Sequence, residues 1–296
     1  MVGVVAADGG AVEQTRDRSW RFRPGEAIVA GRTALKLLGG GDRYEAYIAW
    51  DERLHLEVVA KVLRPNLVNE PNARAAIVAE AEALERLSHP VLVRSFGADL
   101  EADRPHLVLE FLDGPRLSTL IRKFGPLAAE QLVPLARRLC SALQFMAGEG
   151  WVHLDVKPRN VVMTSSPRLI DLSVARQVDV ARRISRPVGT DAYMAPEQCD
   201  PARFTEIGSP ADVWGLAATL FEALAGRQAF PSDGRGRFPQ LRASAPAMPD
   251  KAPPALAAAI RACLVDEPAE RPTAGELDEL LEPLGDWSVR AIRRLR

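Results

Sequence analysis

The sequence predicts an α+β fold of two lobes: a small β-rich first lobe with one key helix, and a larger helical second lobe. From Ile28 to about Leu109 the apolar residues come in short, β-branched, alternating runs, "TALKLL", "AYIAW", "EVVAKVL" and "HLVLEFL", the pattern of half-buried strands. After "DGPRL" helical runs take over, at Leu127 to Ala147, Ala211 to Ala225 and Pro254 to Leu264. Such a change of pattern along one chain implies two cores with a cleft between them. The expected organisation is a loose, Gly-rich tail at 1–20, a first lobe at 21–110, a second at 111–285, and a basic tail at 286–296 containing "RAIRRLR".

Composition narrows the function classes. The chain is 47% hydrophobic and 26% charged, with a formal net charge of −1. That suits a globular protein and gives no overall field toward nucleic acid or an anionic membrane. The three cysteines are scattered and not in CxxC spacing, so they read as core residues in a reducing cytoplasm. The start lacks the basic and apolar regions of a secretory signal. The longest apolar run, Val213 to Gly226, contains Glu222 and is shorter than the roughly 20 residues a membrane span needs.

The elements follow in order. Gly39, Gly40 and Gly41 lie between two strand-like runs. They let backbone amides approach an anion, although alone a plain hairpin turn is the simpler reading. Lys61 lies inside the apolar run "VVAKV". In the helical segment "NARAAIVAEAEALERL", Ile77, Leu84 and Leu87 mark one apolar face and Glu80 falls in its middle, while Glu82 and Glu85 point away. A carboxylate facing inward is costly without a cation, so a Lys61–Glu80 pair is expected, the alternative being Glu80 at a partly wet edge. Pro134 sits inside a helical pattern, where it costs about 3 kcal/mol. A later helix start or a kink would accommodate it. Pro231 to Pro254 reads as a loop.

The stretch "HLDVKPRN", His153 to Asn160, is followed by "VVM", "TSSP" and "RLID". A hairpin with strands at Val161 to Met163 and Arg168 to Ile170 would bring Asn160 beside Asp171, with Asp155 and Lys157 close by. An amide oxygen and a carboxylate suit Mg²⁺.

Taken together and in order, the glycine stretch, "VVAK", the helix glutamate, "HLDVKPRN", "DLS", "MAPE", "DVWGLA" and a late "ERP" resemble the eukaryotic-type protein kinase family, specifically bacterial Ser/Thr protein kinases, from about Leu35 to Leu281. The resemblance implies the bilobal protein-kinase fold, ATP and Mg²⁺ (or Mn²⁺) as cofactors, protein Ser/Thr hydroxyls as acceptors, autophosphorylation and a part in bacterial signalling. It implies that Gly39, Gly40 and Gly41 cover the phosphates and that Lys61, oriented by Glu80, contacts them. Ala46 and Ala60 would line the adenine pocket, with Glu110 to Leu112 as hinge and Leu109 behind. Asp155 would accept the substrate proton, Lys157 would stabilise the transferring phosphoryl group, and Asn160 and Asp171 would hold Mg²⁺. Thr190 would bridge toward Asp155, Glu197 and Arg271 would form a structural pair, and Asp212 would anchor the backbone around Asp155.

The sequence departs from the family pattern at several positions. Tyr44 stands for the third loop glycine, Ala46 for a valine, Leu154 for the arginine before the catalytic aspartate, Ser173 in "DLS" for a glycine, and Ala217 for a glycine. Leucine at 154 cannot receive a phosphate, so activity is expected without phosphorylation between Val174 and Met194. Serine at 173 is expected to restrain the metal-binding segment. The rival readings are a nucleotide-binding pseudokinase and a small-molecule phosphotransferase.

Overall fold

The computed structural model describes residues 18–285 apart from 205 and 233. The expected tails 1–20 and 286–296 lie outside the described residues, except for Arg18, Ser19 and Trp20. The chain divides into two compact units. One comprises the residues up to Arg86 together with Arg94–Phe111, and the other comprises Leu87–Val93 and the residues from Leu112 onward.

The first unit is an antiparallel sheet. Its strands are β1 (Ala27–Val29), β2 (Arg32–Gly40), β3 (Tyr44–Asp51), β4 (Leu56–Leu63), β5 (Ser95–Asp99) and β6 (His106–Glu110), in the order β1-β2-β3-β4-β6-β5. Helix α1, Pro71–Arg86, belongs to the same unit. The strand pattern is that of the sequence, except that β5, "SFGAD", carries no apolar alternation and gives no signal there. Register assigns the faces. Ala46 pairs with Lys61 and Tyr47 with Ala60, so the two-residue period puts Tyr44, Ala46, Val59 and Lys61 on one face. Tyr47, Ala49, Val58, Ala60 and Val62 fill the other, in a cluster with Ile28, Ala34 and Val108. Each valine or isoleucine among them stabilises by about 1.5–3 kcal/mol when fully buried, and each alanine by less.

This apolar face is flanked by Trp20 and Phe22. The Trp20 indole donates to the Leu63 carbonyl at 2.8 Å, and the Arg104 guanidinium lies 5.0 Å and 4.9 Å from the Trp20 and Phe22 rings. Buried Glu45 accepts from the Trp20 amide, the Tyr47 hydroxyl and Arg64. Trp20, assigned from sequence to the tail, is thus held against the sheet.

The second unit contains helices α2 (Leu117–Phe124), α3 (Ala129–Gly148), α4 (Val178–Ala181), α5 (Pro196–Cys199), α6 (Ser209–Ala225), α7 (Pro254–Cys263) and α8 (Ala274–Leu281). Two small antiparallel pairs accompany them, β7 (Trp151–Val152) with β10 (Arg176–Gln177) and β8 (Val161–Val162) with β9 (Arg168–Leu169). Helix α6 is buried from Ala211 to Leu224 except at Glu222, and Trp214 stacks on Phe230 with centroids 5.3 Å apart. Helix α3 starts slightly later than expected, but Pro134 remains inside it. Burial of Leu132, Val133, Leu135, Ala136 and Leu139 outweighs the lost backbone bond. Cys140, Cys199 and Cys263 are free and buried, and burial pushes the Cys199 and Cys263 thiols up to about 12. Among the described residues no helix is long and apolar enough to cross a membrane.

The hairpin expectation needs a correction. The observed register is Val161↔Leu169 and Val162↔Arg168, and the Ile170 amide donates to the Asn160 carbonyl at 2.8 Å. Ile170, not Asp171, therefore lies across from Asn160. Both strands are shorter than expected, which displaced the inferred pairing by one residue.

Candidate active site

In the first unit, β4 carries Lys61 and α1 carries Glu80. Helical spacing turns Glu80 inward with Ile77 and Leu84, all three buried, and leaves Glu82 and Glu85 exposed. The Lys61 ammonium donates to Glu80 Oε1 at 2.7 Å and Oε2 at 2.9 Å. Side-chain exposure is 13% for Lys61 and 1% for Glu80, so of the two readings weighed, the wet edge is excluded and the pair is formed.

Gly39 and Gly40 end β2, opposite Ala46 and Glu45. A Cβ on Gly40 would stand 2.3 Å from the Tyr44 carbonyl oxygen, so only glycine fits there. Gly41 closes the turn, its carbonyl held by Arg64 at 2.8 Å. The assignment of Ala60 beside Ala46 fails. Ala60 is fully buried on the opposite sheet face, and Val59 shares the face of Ala46 and Lys61, since neighbouring strand residues point to opposite sides. Leu109 is buried in β6. Glu110 ends that strand, bonded through its amide and its carboxylate to the Arg94 backbone, and Leu112 opens the second unit.

In the second unit the residues of "HLDVKPRN" form one network. Lys157 Nζ donates to Asp155 Oδ2 at 2.6 Å and to Thr190 Oγ1 at 2.5 Å. The Thr190 hydroxyl donates to Asp155 Oδ1 at 2.7 Å. The Asn160 amide nitrogen donates to the Asp155 carbonyl at 2.9 Å and to Oδ2 at 3.1 Å, which turns the amide oxygen the other way. The backbone is fixed by Asp212, whose carboxylate accepts from the amides of His153 and Leu154, both at 2.7 Å. Burial pushes the Asp212 carboxyl up, while His153 and these two N–H bonds pull it down. Leu154 and Asp171 hold left-handed φ values of 64° and 71°. Non-glycine residues adopt that region at a cost, and it concentrates at functional sites.

Thr190 stands on the segment that leads into α5, and Glu197 lies in the first turn of that helix. Glu197 pairs with Arg271 Nη1 at 2.6 Å and Nη2 at 2.8 Å, both side chains fully buried. Sequence reading missed Gln198. Its amide nitrogen donates to the carbonyls of Leu154 at 2.8 Å and Val188 at 2.9 Å, and its oxygen accepts from Ala195 at 3.0 Å. It ties this segment to the backbone beside Asp155. A buried glutamine has no sequence signature that separates it from a surface one. Arg116 was missed as well. Burial pushes its guanidinium down, nearby Arg159 adds to this, and Asp171 opposes it.

Each unit has a distinct chemical capacity. The first holds a cation fixed by a buried carboxylate. The second holds a carboxylate whose two oxygens are oriented by an ammonium, a hydroxyl and an amide, with further oxygen donors at Asn160 and Asp171. Hard oxygen donors few in number suit Mg²⁺ held partly by phosphates.

Known proteins resemble this chain in sequence. Residues 32–281 match the protein kinase domain. The chain is 31% identical over 207 residues to serine/threonine-protein kinase PknB of Mycobacterium leprae, covering 67% of this chain and 33% of that protein. It is 34% identical over 224 residues to the probable serine/threonine-protein kinase PkwA of Thermomonospora curvata, covering 74% and 30%. With serine/threonine-protein kinase PknD of Mycobacterium tuberculosis the identity is 32% over 256 residues, covering 82% and 38%. The chain spans about a third of the length of these curated relatives. A kinase-domain match across most of the chain places this chain in the protein kinase family.

Proposed function

We propose that this chain transfers the γ-phosphate of ATP, with Mg²⁺, to serine and threonine hydroxyls of proteins, itself included. The observation that carries the reading is the Asp155 network, in which Lys157, Thr190 and Asn160 converge on one carboxylate. Asp155 orients the acceptor hydroxyl and takes its proton. Lys157, 2.6 Å from that carboxylate, offsets negative charge on the phosphoryl group as it moves. Thr190 holds the carboxylate at a fixed angle, and Lys61, fixed by Glu80, anchors the nucleotide phosphates. Asn160 and Asp171 would hold Mg²⁺, which when bound neutralises phosphate charge. The setting that supplies ATP and keeps the cysteines reduced is the cytoplasm.

Leu154 and Gln198 bear on regulation. Leu154 is an apolar buried residue and cannot bind a phosphate. Gln198 already ties the segment to the Leu154 carbonyl without any charge. We infer activity in the unphosphorylated state.

The experiment is transfer from γ-labelled ATP with Mg²⁺ or Mn²⁺ to the chain itself and to a basic protein, with phosphatase-treated enzyme alongside. Asp155→Asn is expected to lower transfer by about 10²-fold or more, and phosphatase treatment to leave the initial rate intact. Nucleotide binding without transfer would instead support a pseudokinase. Transfer to sugars or small alcohols in preference to protein would support the other rival.

A further inference from the structure

Tyr44 lies at the start of β3, where the kinase phosphate loop usually ends in its third glycine. The residue is 7% exposed. The register explains where the ring goes. Tyr44 pairs with Leu63 and Ala46 with Lys61, so Tyr44 and Lys61 are diagonal neighbours on one face, within reach of an aromatic side chain. The Lys61 ammonium lies over the Tyr44 ring, 4.7 Å from its centroid.

An ammonium has three N–H directions. Both carboxylate oxygens of Glu80 lie within hydrogen-bond distance of Lys61 Nζ, so Glu80 takes one side of the cation. The ring face takes another, attracted by the charge and strengthened by partial desolvation. A phosphate oxygen that contacts Lys61 needs the same kind of approach, and a glycine at 44 would leave it open.

We propose that Tyr44 is a positioning residue that masks Lys61. Its ring occupies a side of the ammonium that a phosphate would use, so a phosphate-bearing nucleotide competes with the ring for its Lys61 contact. This rests on the reading of Lys61 as the phosphate anchor. The consequence is selective. The mask weakens ligands that carry phosphates and leaves the nucleoside portion alone. It also depends on the ring face and not on the hydroxyl.

The test is calorimetric titration of the chain with Mg·ATP and, separately, adenosine. Tyr44→Phe keeps the ring, whereas Tyr44→Leu and Tyr44→Met keep apolar volume without a π face. Whichever of Leu and Met melts with wild type is the one to use. Mg·ATP is expected to bind that variant roughly 3- to 30-fold more tightly, the range of a cation–π contact. Adenosine affinity and the behaviour of Tyr44→Phe should stay as in wild type. In a Lys61→Met background the gain should vanish, which a merely structural role for Tyr44 would not produce. Unchanged or weaker Mg·ATP binding in the ring-less variant overturns the inference while leaving the kinase reading in place. Failure of wild type and variants alike to bind either ligand overturns the kinase reading and the inference with it.

Discussion

Set the Lys61–Glu80 pair of the first unit beside the Arg271–Glu197 pair of the second. Both join a cation to a buried carboxylate through two short bonds. Arg271 goes further. Its Nε donates to the Val265 carbonyl, Nη1 also to Pro210, and Nη2 also to Asp266, so all five guanidinium hydrogens are used. Neither side chain of that pair is exposed. Lys61 keeps 13% exposure. A pair closed to water on both sides is set to hold structure together, whereas one whose cation is partly accessible leaves that cation within reach of solvent. Side by side they show that access of the cation to water, more than burial of the carboxylate, distinguishes the two ion pairs.

The largest expected effect tests the saturated pair. Arg271→Met leaves Glu197 charged and buried and three carbonyls without their donor, so the fold should lose about 3–5 kcal/mol, read as a lower urea midpoint. Adding Glu197→Leu should recover much of that, because the stranded charge is removed. A loss below about 1 kcal/mol would break the comparison.

Glu80→Gln should move the other quantity. Gln keeps an acceptor for Lys61 and the ammonium keeps some contact with water, so stability should fall by only about 1–2 kcal/mol. The kcat/KM for ATP should fall at least about tenfold, since Lys61 is no longer fixed. A stability loss equal to that of Arg271→Met would erase the distinction between the pairs.

The smallest effect concerns a carboxylate bonded to a phenol. Glu222 accepts from the Tyr193 hydroxyl at 2.5 Å. Burial raises its pKa, with the Tyr193 bond pulling the other way. A carboxyl raised in the folded state contributes stability that is full below the unfolded value and is lost as pH rises through the folded value. Wild type should therefore lose more stability than Glu222→Gln as pH rises above about 4.3, the ordinary glutamate value, as followed by melting temperature. Parallel curves would show that the folded and unfolded carboxyls titrate alike.

Legibility differed between elements for physical reasons. Period-two runs and one inward-turned glutamate were enough for β2, β3, β4, β6 and for the Lys61–Glu80 pair, since burying an unpaired carboxylate is too costly to leave open. The hairpin after Asn160 was placed one residue out of register, because two-residue strands leave too little pattern to set pairing. Ala60 was put on the wrong face because it was assigned by resemblance and not by alternation. Strand β5 gave no sign of itself, as its glycine and aspartate are ordinary loop residues.

The sequence by itself determined the two-part α+β plan, the order of the motifs and the residues of the Asp155 region, because these follow from periodicity and from residue types set close together along the chain. Only the tertiary structure decided that Gln198 reaches the Leu154 carbonyl across 44 residues, that Arg271 spends every donor, and that the Tyr44 ring lies under Lys61. Those facts depend on which side chains meet across elements distant in sequence, and on how far each is removed from water. Local pattern carries neither.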